Sequence, residues 1–185
     1  MSERNKEAEV PRSFVTALAD GTRVSKADGR IEVCGTLDEL SAHMGGVCAG
    51  LRRLIEERGA VHAEELCRVL GLLRDVQSQL FGIGAQVVGA GENVDERLEQ
   101  GEEQLARETE RLQKMGIRFR GFVLPGGSPI ACAVHVNRAV CRRAERGVVK
   151  LGYRAAVEYL NALSKYLFHL ALFLNHIEGV DEIIL

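Results

Sequence analysis

Gly35-Thr36-Leu37-Asp38-Glu39-Leu40-Ser41-Ala42-His43-Met44-Gly45-Gly46-Val47-Cys48-Ala49-Gly50-Leu51-Arg52-Arg53-Leu54 is the stretch on which the fold turns. Its apolar residues Leu37, Leu40, Met44, Val47, Leu51 and Leu54 recur at alternating steps of three and four, the spacing of a helix that packs along its whole length in a bundle. Thr36 followed three residues later by Glu39 has the form of a capping box, so the sequence predicts that this helix opens near residue 35. Downstream, Leu66, Val69, Leu73, Val76, Leu80, Ile83 and Val87 repeat the pattern and predict a second long helix over about 63–88, which Gly89-Ala90-Gly91 ends.

Three further helices follow. Val94, Leu98, Leu105 and Leu112 mark a Glu- and Arg-rich, more exposed helix ending near Met115-Gly116. Ser128 is placed to cap a fourth, with Pro129 at its first position, where a missing N–H costs nothing; that helix runs to about Leu151. The fifth, about Ala155 to Ile177, is apolar on most faces and belongs near the middle of the bundle. No strand alternation and no repeat is apparent. The expectation is an all-α fold, a five-helix antiparallel bundle over 35–185, with an irregular loop from about Ile117 to Leu124. Residues 1–34 form a separate, partly flexible amino-terminal arm, expected to be either disordered or ordered by a ligand, because Pro11, Asp20-Gly21 and Asp28-Gly29 interrupt any periodicity there.

Composition narrows the function. Apolar residues make up 46% and charged residues 27%, which suits one soluble globular domain of 185 residues. A formal charge of -2 offers no broad field for nucleic acid or an anionic membrane, so any anion site is local. No apolar run reaches membrane-spanning length, and the charged start MSERNKEAEVPR has no apolar core of a secretory signal, so the expected compartment is the cytoplasm. Five cysteines without CxxC spacing read as free buried thiols in a reducing compartment.

The chemistry-bearing residues cluster on the last two helices. Arg138, Arg142 and Glu145 share a face by i, i+4 and i+7 spacing, while Ala133, Val136, Val140 and Leu151 fall toward the other side. Paired arginines repel unless an anion or carboxylate lies between them, although a solvated helix face is the commoner explanation of such a pattern. Asp38 suits a first helical turn on dipole grounds alone, yet its face continues through Ala42, Gly45 and Ala49, small residues that admit another helix closely. Gly126-Gly127-Ser128 could present backbone N–H groups to an anion or simply make the turn. Arg23-Val24-Ser25-Lys26 is either a basic ligand patch or a solvated loop. Asn161, Ser164 and Asn175 make a polar strip on an apolar helix, equally compatible with a ligand and with hydrogen bonds inside the core. The five histidines show no metal-ligand spacing.

Arg23-Val24-Ser25-Lys26, Gly35-Thr36-Leu37-Asp38-Glu39-Leu40 and Phe122-Val123-Leu124-Pro125-Gly126-Gly127-Ser128 together resemble, in order and spacing, the PduO-type ATP:cob(I)alamin adenosyltransferases. His135-Val136-Asn137-Arg138-Ala139-Val140-Cys141-Arg142-Arg143-Ala144-Glu145-Arg146 matches that family's signature, and Tyr159-Leu160-Asn161-Ala162-Leu163-Ser164 with Tyr166-Leu167-Phe168 its last helix. The similarity runs from about Thr16 to Asn175.

The resemblance implies a homotrimer with ATP and a corrinoid bound between subunits, and transfer of the 5′-deoxyadenosyl group of ATP to cob(I)alamin, giving adenosylcobalamin and triphosphate. It implies that Asp38 of one subunit pairs with Arg138 of the next and that Arg138, Arg142 and Asp38 serve the chemistry. It places Thr16, Gly21, Arg23, Ser25, Lys26, Arg138, Arg142, Arg143, Glu145 and Asn161 at ATP, Glu145 also at Mg²⁺, and Phe122 against the corrin ring. A reductase or an adenosylcobalamin-dependent enzyme is the implied protein partner. The chain departs from the family pattern in three places, the last being the stretch between Arg138 and Asn161, which is a few residues shorter than usual. Pro11-Arg12-Ser13-Phe14-Val15-Thr16 stands where a Thr-Arg-x-Gly-Asp-x-Gly-x-Thr turn is usual, and Lys165 where an aspartate is common. The first departure motivates a second reading, a relative that binds or delivers a corrinoid without efficient transfer; a ligand-free helical scaffold is what composition alone permits.

Overall fold

A computed structural model describes residues 11–58, 62–115 and 121–185. It contains an antiparallel two-stranded hairpin, β1 (Val15–Ala17) with β2 (Arg23–Ser25), and five helices: α1 (Gly29–Arg58), α2 (Ala63–Val87), α3 (Asp95–Lys114), α4 (Pro129–Leu151) and α5 (Arg154–Glu178). The predicted end of the third helix at Gly116 and the first part of the Ile117–Leu124 loop lie outside the described residues.

α1 begins at Gly29, well before the Thr36 capping box, and so takes in residues 29–34 that the sequence reading gave to the arm. The start is fixed by Asp28, whose Oδ1 accepts from the Arg30 backbone N–H at 2.9 Å while the Arg30 guanidinium donates to both carboxylate oxygens, each at 2.9 Å. Those bonds hold the Asp28 carboxyl down to about 2. Thr36 lies inside the helix instead, its hydroxyl donating back to the Glu32 carbonyl at 2.9 Å. The hairpin is the second departure: three-residue strands are too short to show alternation, and Gly21, at φ +83°, makes the turn between them.

The helices pack round a ring in the order α2, α1, α4, α5, α3, and side-chain neighbours give their directions. Val33 meets Gly147 and Gly50 meets Ile130, so α1 and α4 are antiparallel; Cys34 reaches Gly84 and Gln77 reaches Ser41, so α1 and α2 are too. Gly101 against Tyr159 and Gln113 against His169 make α3 and α5 the parallel pair. Consecutive helices therefore alternate in direction, and α5 separates α3 from α4 in the ring.

α5 is one member of that ring and not its centre, yet it is buried on most of its faces. Leu163, Leu167, Leu170 and Phe173 are fully enclosed, between α4 on one side and α3 on the other. Gly101 is required where α3 crosses α5, since a Cβ there would stand 2.8 Å from the Tyr159 ring. One expected core position is not in the core: Val136, assigned to the inner side of α4, is 46% exposed. Nor are all the thiols buried as expected, since Cys67 and Cys132 are both exposed.

The polar strip on α5 divides: Asn161 and Ser164 line a groove, whereas Asn175 serves the core. Its Oδ1 accepts from the Ser128 N–H at 2.8 Å, and its Nδ2 donates to the Gly126 carbonyl at 3.1 Å and to Glu182 Oε1 at 2.9 Å. Gly127, at φ +104°, admits that amide where any side chain would collide with it. Ser128 then caps α4, its Oγ accepting from the Ala131 N–H. The Gly126-Gly127-Ser128 segment is thus an internally bonded turn. Just before it, residues 122–124 pair with the carboxy-terminal residues: the Leu185 N–H donates to the Phe122 carbonyl at 2.8 Å and the Leu124 N–H to Ile183 at 2.9 Å.

Candidate active site

Two grooves open on different faces of the bundle. The first, about 280 Å³ between α4 and α5, is lined by Arg138, Arg142, Asn161, Lys165, Phe168 and His169. Helical spacing explains the convergence, because Arg138 and Arg142 lie one turn apart on α4 while Asn161, Lys165 and Phe168 fall on one face of the antiparallel α5. Arg142 Nη1 donates to Glu145 Oε2 at 2.7 Å and to Asn161 Oδ1 at 3.4 Å. Arg138 stands with its guanidinium carbon 6.0 Å from the Phe168 ring centroid, and its Nε is buried with no hydrogen-bond partner among the described residues. Arg143 turns out of the groove to pair with Glu39 of α1.

His135 lies one turn before Arg138, 5% exposed, with its ring 6.4 Å from Phe168 and neither ring nitrogen bonded among the described residues. Burial, and secondarily the Arg138 charge, push its pKa below the ordinary value. His169 is lowered by burial as well, and Gln113 Nε2 lies 3.0 Å from its Nε2. His169 thus lines the groove beside the two guanidiniums, and His135 packs against Phe168 of its wall. Sequence reasoning had set the histidines aside, since isolated residues of that type carry no spacing signal.

The second groove, about 420 Å³ between α1 and α2, is apolar. Leu37, Leu80, Ala85, Val88 and Phe81 line it, with Asp38 as its carboxylate, and Phe81 is 81% exposed. Asp38 and Arg138 therefore belong to separate grooves of the protomer. The hairpin leans toward the Asp38 side, with the Ala19 N–H donating to the Val88 carbonyl at 3.3 Å. It carries Thr16, half-buried, and Gly21, Arg23, Ser25 and Lys26, all exposed; the Lys26 N–H donates to the Phe14 carbonyl at 2.8 Å. Phe122 is 84% exposed at the end of the bundle from which α4 starts.

Residues 15–174 match the family model described as cobalamin adenosyltransferase. The chain belongs to the cobalamin adenosyltransferase family. It is 34% identical to the cobalamin adenosyltransferase of Cupriavidus metallidurans over 176 residues, covering 91% of this chain and 87% of that protein. It is 35% identical to the corrinoid adenosyltransferase PduO of Citrobacter freundii, covering 91% of this chain but 49% of that longer protein. Among solved structures, a variant PduO-type ATP:corrinoid adenosyltransferase from Lactobacillus reuteri complexed with cobalamin and ATP superposes with a TM-score of 0.71 at 27% identity, covering 94% of each chain. Another variant of that protein, complexed with ATP, gives 0.73 at 25% identity, covering 94% of this chain and 95% of that one. Family membership thus covers the hairpin, both grooves and the Phe122 segment. Among the described residues no helix is long and apolar enough to cross a membrane.

Proposed function

We propose that this protein is a corrinoid adenosyltransferase, moving the 5′-deoxyadenosyl group of ATP onto cob(I)alamin and releasing triphosphate. The observation that carries the reading is the groove in which Arg138 and Arg142 converge with Asn161. Reduced cobalt attacks C5′ of the ribose, the cobalt–carbon bond forms, and the C5′–O bond breaks with its electron pair leaving on triphosphate. The protein supplies no nucleophile. Its task is to align the reactants and stabilise the departing charge, and each charge-assisted hydrogen bond from a guanidinium contributes about 1.5–3 kcal/mol to that. Asn161, already drawn to Arg142, contacts the nucleotide in this reading.

The site is shared between copies. Asp38 and the hairpin residues Thr16, Gly21, Arg23, Ser25 and Lys26 face one neighbour, while Arg138 and Arg142 face the other, so a homotrimer completes each site. Support comes from Phe81, exposed beside Asp38, and from Arg138, which lines the open α4–α5 groove with no ion-pair carboxylate among the described residues. Phe122 meets the corrin ring, and an external reductase delivers the electron, in the cytoplasm.

The residues present fit Mg²⁺ carried on the nucleotide. No group of three or more His, Cys, Asp or Glu side chains is placed to hold a metal among the described residues, and Glu145 is the carboxylate beside the arginines. Magnesium needs little more from a protein when phosphate oxygens and water complete its shell. When bound it would lower the charge of the leaving triphosphate.

The test follows cob(I)alamin and ATP anaerobically under a saturating chemical reductant. Adenosylcobalamin and triphosphate in equal amounts are expected. Corrinoid binding without product would favour the second reading, a protein that binds or delivers a corrinoid, which the altered Pro11–Thr16 segment motivates.

A further inference from the structure

The α4–α5 groove holds more positive charge than its own carboxylate balances. Arg138, Arg142 and Lys165 all line it, and Glu145 is committed to Arg142 at 2.7 Å. If Asp38 of a neighbouring copy takes Arg138, as the shared site requires, Lys165 is the cation left over. Among the described residues no carboxylate stands within ion-pairing distance of its ammonium, and the side chain is exposed rather than laid into the core. The other titratable group facing this space, His169, is kept toward its neutral form by burial and brings no negative charge.

Position makes the surplus useful. Lys165 lies one helical turn after Asn161 and one before His169, on the strip of α5 that faces Arg138 and Arg142. Ser164 beside it is occupied, its hydroxyl donating to the Asn161 carbonyl at 2.8 Å, which leaves the lysine as the donor of that turn still available. An ammonium is a compact, strongly hydrated point charge on a flexible stem, suited to following a phosphate chain rather than gripping one oxygen pair as a guanidinium does.

We propose that Lys165 is a polyphosphate-binding residue of this chain, one that adds a third cation to Arg138 and Arg142 and ties affinity in the groove to the length of the phosphate chain. The inference rests on the adenosyltransferase reading and adds to it a residue that the family's pattern, with aspartate there, does not supply. Substrate and product both carry the triphosphate group, so Lys165 acts on ATP binding and on product release alike.

Titration calorimetry of the full-length protein with inorganic triphosphate, ATP and adenosine tests this in wild type, Lys165→Ala and Lys165→Arg. The alanine variant should bind triphosphate and ATP about tenfold more weakly, the equivalent of one hydrogen bond to a charged group at the weak end of its range, while adenosine binding stays the same. The arginine variant should recover most of the loss, and the wild-type advantage should shrink as salt is raised. Equal triphosphate affinity in wild type and Lys165→Ala overturns the inference, as does an equal loss for adenosine, or a wild-type protein that binds no triphosphate. The transfer assay separates the two levels. A wild type that makes adenosylcobalamin alongside an unaffected Lys165→Ala sinks the lysine role only. Lysine-dependent triphosphate binding without product sinks the adenosyltransferase reading instead.

Discussion

The two grooves of this bundle differ in size and in chemistry, and the larger one is not where the charge is. Between α1 and α2 the walls are Leu37, Leu80, Phe81 and Val88 around a single carboxylate, in about 420 Å³. Between α4 and α5 they are two arginines, a lysine and an asparagine, in about 280 Å³. Each is half of something. The first has an exposed aromatic and a carboxylate with no arginine; the second has arginines with an unsatisfied buried nitrogen and too few carboxylates. A protomer read alone would send the search for chemistry to the bigger cavity. Charge balance sends it to the smaller one, and the proposed shared site would make the larger a face for a neighbouring copy.

The sharpest way to break this contrast is Arg142→Ala. The side chain is half-exposed, so thermal stability should hardly move, whereas kcat/KM for transfer should fall about 100-fold, roughly the loss of one strong charge-assisted hydrogen bond. An equal loss in stability would make the arginine structural. Next in size is Phe81→Ala on the opposite face, which sedimentation should show as dissociation of the oligomer at concentrations where wild type stays assembled. An unchanged assembly would return that groove to bulk solvent.

A smaller effect sharpens the account of the charged groove from beneath. His135 has its pKa lowered in the folded state, so the unfolded chain binds its proton more readily and stability falls as pH drops below the ordinary value of 6.5. Melting temperature against pH should decline through that window, and His135→Phe should flatten the decline; parallel curves would exclude the residue. The smallest expected effect is Glu39→Gln, which removes the α1–α4 pair with Arg143. Both partners are nearly half exposed, so denaturant unfolding should register less than about 1 kcal/mol.

Much of the bundle was readable from residue order, for reasons particular residues show. α2 and α5 were placed to within a residue or two because their apolar positions repeat through several turns, and α4 because Ser128 and Pro129 are both chemical start signals. The start of α1 was misplaced because Thr36 and Glu39 imitate a capping box, while Asp28, the residue that begins the helix, reads beside Gly29 as a turn. Its role depends on Arg30 folding back onto it, a contact that no periodicity encodes. The hairpin escaped notice because three residues cannot display alternation. In the site, Arg138, Arg142 and Asn161 were legible by spacing and by family pattern, and the structure brings them together. Asn175 was undecidable until its bonds to Gly126, Ser128 and Glu182 showed it holding the turn before α4. Lys165 was visible only as a departure, because its meaning comes from the charges across the groove.

Mixing two defective proteins puts the shared site itself to the test. Lys26→Ala damages the hairpin side and Arg142→Ala the arginine side, and neither should transfer adenosyl efficiently alone. Unfolded and refolded together, they should regain activity, because some mixed oligomers join an intact hairpin from one copy to intact arginines from another. A mixture that is no more active than its two components, despite forming mixed oligomers, would place the whole site within one chain and contradict the account.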